Sequence, residues 1–130
     1  MFEVGVARTF NALHQLEDET ASAAHEHSHD YRVEVVVRGD GLDENSMLLD
    51  LDALGAAVSG CLAELDAADL DALPAFAGRN TTVEVVAAYV WDDLRDRLLS
   101  AGGALVSLRV TLYESPDAWA SVDGPLNAGT

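Results

Sequence analysis

The histidines of this chain are concentrated in one short region. All four lie between positions 14 and 29, and His27 and His29 are two apart at the entrance of a predicted strand, which points both imidazoles to one side. His14 lies at the far end of the preceding strand, opposite the start of the next one if the two are antiparallel. Three imidazole nitrogens can then meet on one zinc ion and leave a fourth position for water or a substrate oxygen. An exposed His-rich loop with fortuitous metal affinity is the alternative that spacing alone leaves open.

Alternating and helical patterns predict the elements that position these histidines. Phe2–Phe10 and Tyr31–Val37 alternate in the manner of half-buried strands, and the first strand should end near Asn11. Beyond these strands, apolar residues such as Leu54 and Val58 recur at helical spacing. A run rich in β-branched and apolar residues follows the helices, at positions 105–114. The remaining predicted elements are a helix from about Asp50 to Asp66, a helix from about Thr82 to Ser100, a strand at Leu105–Glu114 and a strand at Trp119–Val122.

The order of these elements predicts the fold class. An ordered loop over 67–80 separates the two helices, and Thr81 with Glu84 matches the S/T-x-x-E capping box expected at a helix start. The order β-β-α-α-β-β predicts an α+β domain in which two helices cover one face of a four-stranded antiparallel sheet. Because the chain has 130 residues and no internal repeat, residues 1–130 are expected to form one domain.

The charge balance excludes several classes of partner. A net charge of −16 and a pI near 4.2 argue against nucleic acid and against anionic membranes, because both repel a polyanion. No stretch approaches the roughly 20 apolar residues that cross a bilayer, and the first residues lack the apolar block of a signal peptide. We therefore expect a cytoplasmic protein whose ligand is a small molecule.

Six short segments match, in order, the motifs of one enzyme family. They are Phe10–His14 (similar to F-x-A-x-H), His27–Tyr31 (H-G-H-N-Y), Ser46–Leu51 (G-M-V-x-D-F), Leu65–Ala67 (L-D-H), Asn80–Glu84 (N-P-T-x-E) and Val110–Glu114, which falls where the family has a strand ending in glutamate. On these residues the chain resembles the 6-pyruvoyl-tetrahydropterin synthase and 6-carboxytetrahydropterin synthase family over nearly its full length. The resemblance implies the tunnelling fold.

The same resemblance implies a ligand set and a substrate pocket. It implies that His14, His27 and His29 bind a zinc ion. Glu114 matches the glutamate that accepts hydrogen bonds from the amide and amino edge of the pterin ring, a suitable role for an ionised carboxylate. Thr82 and Leu48 match segments that line this pocket. A homo-oligomer is also implied, usually a hexamer of two trimers with active sites between subunits.

The chain departs from the family at the proton-transfer residues. The family uses a cysteine four residues before the first histidine of H-G-H, together with the aspartate and histidine of L-D-H. This chain has Ala23 and Ala67 at those positions and keeps only Asp66. Alanine has no group that accepts or gives a proton, so the ordinary mechanism cannot run unchanged.

Two residues immediately before the predicted zinc pair are candidates to replace the missing base. In an extended chain His25 would point to the same side as His27 and His29, because it is two residues before His27. Histidine exchanges protons near neutral pH. Glu26 is the second candidate, because some branches of the family use a glutamate in this loop. In an extended chain, however, its side chain would point to the side opposite His27 and His29. A solvated loop is the alternative for both residues.

The leading hypothesis is a zinc-dependent lyase or cyclase with a divergent site, acting on a pterin-like or other heterocyclic or polyol-bearing small molecule. A second hypothesis is retro-aldol cleavage of a dihydroneopterin-like side chain. A third is a catalytically silent subunit that binds zinc and a ligand. Turnover separates the first two hypotheses from the third, and the identity of the product separates the first from the second.

Overall fold

A four-stranded antiparallel sheet forms the framework of the protein. The structure is a computed structural model that describes residues 1–14, 27–99 and 104–126. The strands are β1 (Phe2–His14), β2 (His27–Gly39), β3 (Leu105–Ser115) and β4 (Ala118–Pro125), and they lie side by side in chain order. Between β2 and β3 are helix α1 (Leu51–Leu62), short 3-10 helices at Leu70–Ala72 and Pro74–Phe76, and helix α2 (Val83–Leu99). This arrangement confirms the predicted α+β class and element order.

One face of the sheet carries the core. On β2, Val33, Val35 and Val37 are fully buried, whereas Arg32 and Glu34 lie on the opposite face. This alternation is the period of two that a sheet covered on one side requires. The helices supply the other half of the core, with Leu54 and Val58 from α1 and Val86, Val90 and Leu94 from α2. Among the described residues, no helix is long and apolar enough to span a bilayer.

β1 and β2 extend farther than the apolar pattern predicted. Their register runs from Phe2 opposite Gly39 to His14 opposite His27, so β1 does not end near Asn11 and β2 begins before Tyr31. The extension contains polar residues whose side chains form hydrogen bonds with one another on the exposed face. Asn11 Nδ2 donates to Asp30 at 2.8 Å, and Ser28 Oγ donates to Asn11 Oδ1 at 3.0 Å. A search for alternating apolar residues misses this extension, because the extra strand residues are held by hydrogen bonds between the two backbones and not by burial of apolar side chains.

The predicted capping box is wrong by one residue. Helix α2 begins at Val83, and Thr82 Oγ1 accepts a hydrogen bond from the Val85 amide at 3.2 Å, so Thr82 is the N-cap. Thr81 is fully buried instead, and its hydroxyl donates to Asp71 at 2.9 Å. Either threonine suits an N-cap by residue type, and Glu84 three residues after Thr81 favoured Thr81 in the sequence. The contact of Thr81 with Asp71 lies outside this local pattern.

The segment that follows α1 docks on the free edge of β1. The amide of Leu13 donates to Ala68 O at 2.9 Å, and the amide of Ala67 donates to Asn11 O at 2.6 Å. Asp66 Oδ1 accepts from the Asn11 amide at 3.1 Å. Ala67 has a positive φ of 61°, the left-handed conformation that turns the chain onto the strand. The end of β1 is therefore held on both sides.

We expect Thr82→Ala to lower the free energy of unfolding by about 0.5–2 kcal/mol, because the mutation removes the N-cap acceptor of α2. Thr82→Ser keeps the hydroxyl and should retain most of this stability. Chemical denaturation followed by circular dichroism measures both. A loss in Glu84→Ala with none in Thr82→Ala would instead support the capping box read from the sequence.

We expect Asp66→Ala to cost roughly 0.5–1.5 kcal/mol of unfolding free energy, the net value of one hydrogen bond. Asp66→Asn should cost less, since the amide keeps an oxygen that accepts from the Asn11 amide. The same denaturation measurement compares the two variants. If neither variant is destabilised while both lose turnover, Asp66 acts in the chemistry and not in the fold.

Candidate metal centre and active site

His14 is positioned by both its strand and the loop before α2. It is the last residue of β1, faces the helix-covered side, and is 1% exposed. Its Nδ1 atom lies 3.0 Å from the carbonyl oxygen of Thr81. A carbonyl oxygen only accepts, so Nδ1 is the donor, and in a neutral imidazole with this tautomer Nε2 has the free lone pair. A histidine held in this tautomer is prepared to bind a metal through Nε2.

His29 lies beside His14 in an aromatic cluster. The two imidazole centroids are 4.8 Å apart and the rings meet edge to face. Tyr31 contacts both, with centroid distances of 5.6 Å to His29 and 6.4 Å to His14. Tyr31 in turn stacks on Phe10 at 4.9 Å. These ring contacts restrict the rotation of both imidazoles.

Glu114 brings a carboxylate to the two imidazoles. It lies near the end of β3, where it continues the inward alternation of Val110 and Leu112, and is half-buried. One ligand atom from each of His14, His29 and Glu114 lies within 4.8 Å of the other two. Imidazole nitrogen and carboxylate oxygen are ligands that zinc accepts. The donor set therefore fits a zinc ion.

Three of the predicted residues are only partly covered by the structure, or not at all. The backbone of His27 pairs with that of His14 at the first position of β2, as a shared ligand set requires. The position of the His27 side chain lies outside what the structure describes. His25 and Glu26 lie in the segment 15–26, also outside the described residues, so their roles stay predictions.

Tyr31 is a site residue that the sequence reasoning did not single out. It is 1% exposed, and burial raises the pKa of its phenol well above the usual range. The negative charges of Glu114 and Asp71 raise this pKa further, so Tyr31 remains a neutral phenol. Its place two residues after His29, on the same face of the strand, was the available signal.

Asp71 is a second residue that local patterns do not reveal. Its carboxylate accepts the Thr81 hydroxyl, and Thr81 in turn holds His14 through its carbonyl oxygen. Asp71 lies within the first 3-10 helix, ten residues before Thr81. The chain between the two helices therefore helps to hold the imidazole of His14 in position.

The remaining predicted residues lie at different distances from this cluster. Thr82 follows Thr81 directly and is close to the site, where it also caps α2. Asp66 is exposed and accepts from the main chain of β1. Leu48 lies at the other end of the sheet, beside Gly39, which pairs with Phe2. It lines a separate cavity of about 490 Å³. Within one chain, the fold does not bring Leu48 to the histidines.

Comparisons with known proteins assign the chain to a family. The family model described as 6-pyruvoyl tetrahydropterin synthase matches residues 3–125. The 6-pyruvoyl tetrahydrobiopterin synthase of Drosophila melanogaster is 30% identical over 131 residues, which cover 90% of this chain and 76% of that protein. The enzyme of the same name from Pongo abelii is 35% identical over 91 residues, or 68% of this chain and 60% of that protein.

Solved structures agree on the fold. The 6-pyruvoyl tetrahydropterin synthase of Caenorhabditis elegans has a TM-score of 0.77 at 24% identity, covering 95% of each chain. The Plasmodium vivax enzyme, solved with a catalytic glutamate replaced by alanine, has a TM-score of 0.78 at 17% identity, covering 95% of this chain and 98% of that one. The sheet with its two helices is thus the expected tunnelling fold. Together with the match over residues 3–125, these likenesses show that the chain belongs to the 6-pyruvoyl tetrahydropterin synthase family.

Proposed function

We propose that this protein is a zinc-dependent lyase or cyclase that acts on a pterin-like small molecule. The observation that carries the proposal is the convergence of His14, His29 and Glu114 at one end of the sheet. These are two of the three predicted zinc ligands and the predicted substrate anchor, and they come from three different strands. The family to which the chain belongs supports the same class of reaction.

In this proposal, His14, His27 and His29 hold the zinc ion. The contact between His14 Nδ1 and Thr81 supports the assignment, because it leaves Nε2 as the ligand atom. The ion would polarise an oxygen on the side chain of the substrate and stabilise negative charge that develops there. The neutral phenol of Tyr31 packs against two of the ligand rings and keeps them in place.

The proposed substrate pocket extends from Glu114. When substrate is bound, the carboxylate of Glu114 accepts two adjacent N–H donors from the ring edge. Thr82 contributes to the wall of the same pocket, beside the loop that holds His14. The distance of Leu48 from the histidines of its own chain supports a site that another copy helps to line. β1 and β4 are the edges of the sheet. β4, and β1 before the part that the 66–69 segment covers, are available to pair with neighbouring copies, as in the expected hexamer.

Proton transfer is assigned to His25 or Glu26. Ala23 and Ala67 carry no titratable group, and Oδ1 of Asp66 accepts from the Asn11 amide. Asp66 is therefore given a structural role. The resemblance favours Glu26, because some branches of the family use a glutamate in this loop, and the Plasmodium vivax relative has a catalytic glutamate.

We expect about one zinc ion per chain in purified protein, since the three histidines form one site. His27→Ala and His29→Ala should each lose most of the metal, and His25→Ala, the matched control, should keep it. Elemental analysis measures the content. Circular dichroism should show folded proteins throughout, because the core does not depend on the metal. Full zinc in both ligand variants would contradict the assignment.

We expect the wild type to convert dihydroneopterin triphosphate into the usual family products very slowly, because general acid and base groups contribute about 10²- to 10⁴-fold each. A discontinuous chromatographic assay measures both rate and product. Glu26→Gln and His25→Ala identify the remaining base by a further loss in one of them. Rates equal to those of family members in both variants would contradict both candidates, and a cleaved side chain as sole product would favour retro-aldol chemistry.

A further inference from the structure

We propose that the carboxylate of Glu114 is the fourth protein ligand of the zinc ion when no substrate is bound, and that the substrate displaces it. The inference rests on the proposed zinc site and assigns Glu114 a second role besides contact with the substrate ring. In the substrate-free protein the metal would then be closed off by three imidazoles and one carboxylate.

The first argument is distance. In residues 1–14, 27–99 and 104–126, the one group of three potential ligand side chains is His14, His29 and Glu114, with ligand atoms that lie within 4.8 Å of one another. A residue whose task is only to hold the far edge of a substrate ring does not need to lie this close to two metal ligands. The position of Glu114 on β3 places its carboxylate beside the imidazoles.

The second argument is charge. Glu114 is half-buried, and none of the four ion pairs found in the described part of the chain includes it. Its surroundings are two imidazoles and the buried phenol of Tyr31, and Asp71 adds a further negative charge nearby. A partly buried carboxylate is stabilised by a cation or by metal coordination. A zinc ion on His14 and His29 would supply that cation.

The third argument is orientation. Accepting two adjacent N–H donors from a ring edge uses both oxygens of the carboxylate and aligns its plane with that edge. This orientation differs from the one that directs a carboxylate oxygen at a zinc ion held by the imidazoles. When the ring binds, the carboxylate of Glu114 would leave the zinc ion to accept the N–H donors, and an oxygen of the substrate would take its place as ligand. No proton, electron or further reactant is needed for this exchange.

Zinc affinity in Glu114→Gln tests the proposal. The affinity is measured for wild type and variant by competition with a chromophoric chelator, without substrate. Asp30→Asn is the matched control, because Asp30 follows His29 directly but is exposed and bonded to Asn11. We expect Glu114→Gln to bind zinc at least about tenfold more weakly than wild type, the lower end of the loss seen when a supporting group is removed. Asp30→Asn should bind like wild type.

The outcomes separate this proposal from the zinc site itself. Equal affinity in wild type and a folded Glu114→Gln overturns the role of Glu114 and leaves the three histidines as ligands. Failure of the wild type to bind zinc overturns the zinc site, and the present proposal with it. If Glu114→Gln does not fold, a crystal structure of zinc-loaded wild type decides. A carboxylate oxygen about 2.0–2.2 Å from zinc supports the proposal, and water in that position overturns it.

Discussion

The pairing of β1 with β2 is the constraint on which the rest of the site depends. The ladder is 13 residues long on each strand and ends with His14 opposite His27. Because side chains alternate across a strand, the register that buries Val33 and Val35 also turns His29 and Tyr31 toward the helix-covered face. A slip of one residue would expose the valines and move the histidines to the other face together. Core packing and ligand placement are thus enforced by the same backbone hydrogen bonds.

The chain between the helices adds the second level of order. It holds the end of β1 through Asn11 and Leu13, and it holds the imidazole of His14 through the carbonyl of Thr81. The site therefore combines a rigid sheet with a loop that is itself tied down. In this arrangement Asp66 supports the end of β1 through the Asn11 amide, and Asp71 supports the loop of His14 through the Thr81 hydroxyl. It also leaves the family's usual L-D-H aspartate bonded to the main chain.

Much of the fold was predictable from local pattern, and the site only in part. The alternation in β2 and the helical spacing of Leu54 and Val58 predicted both element types and their order, because burial of one face imposes those periods. The polar end of β1, the choice of Thr82 as N-cap and the link from Asp71 to Thr81 depend on contacts between distant parts of the chain. No local pattern encodes such contacts. The position of Leu48 at the far end of the sheet likewise follows from the register and not from its own motif.

The central claim is that the end of the sheet holds a zinc ion ready for a substrate, in a family member that lacks the usual proton-transfer residues. Anomalous diffraction at the zinc absorption edge, from crystals of the zinc-loaded protein, tests this claim most directly. The account predicts one peak per chain, bonded to Nε2 of His14 and to one nitrogen each of His27 and His29. Absence of a peak at this position, or a zinc ion bonded to other residues alone, would contradict it.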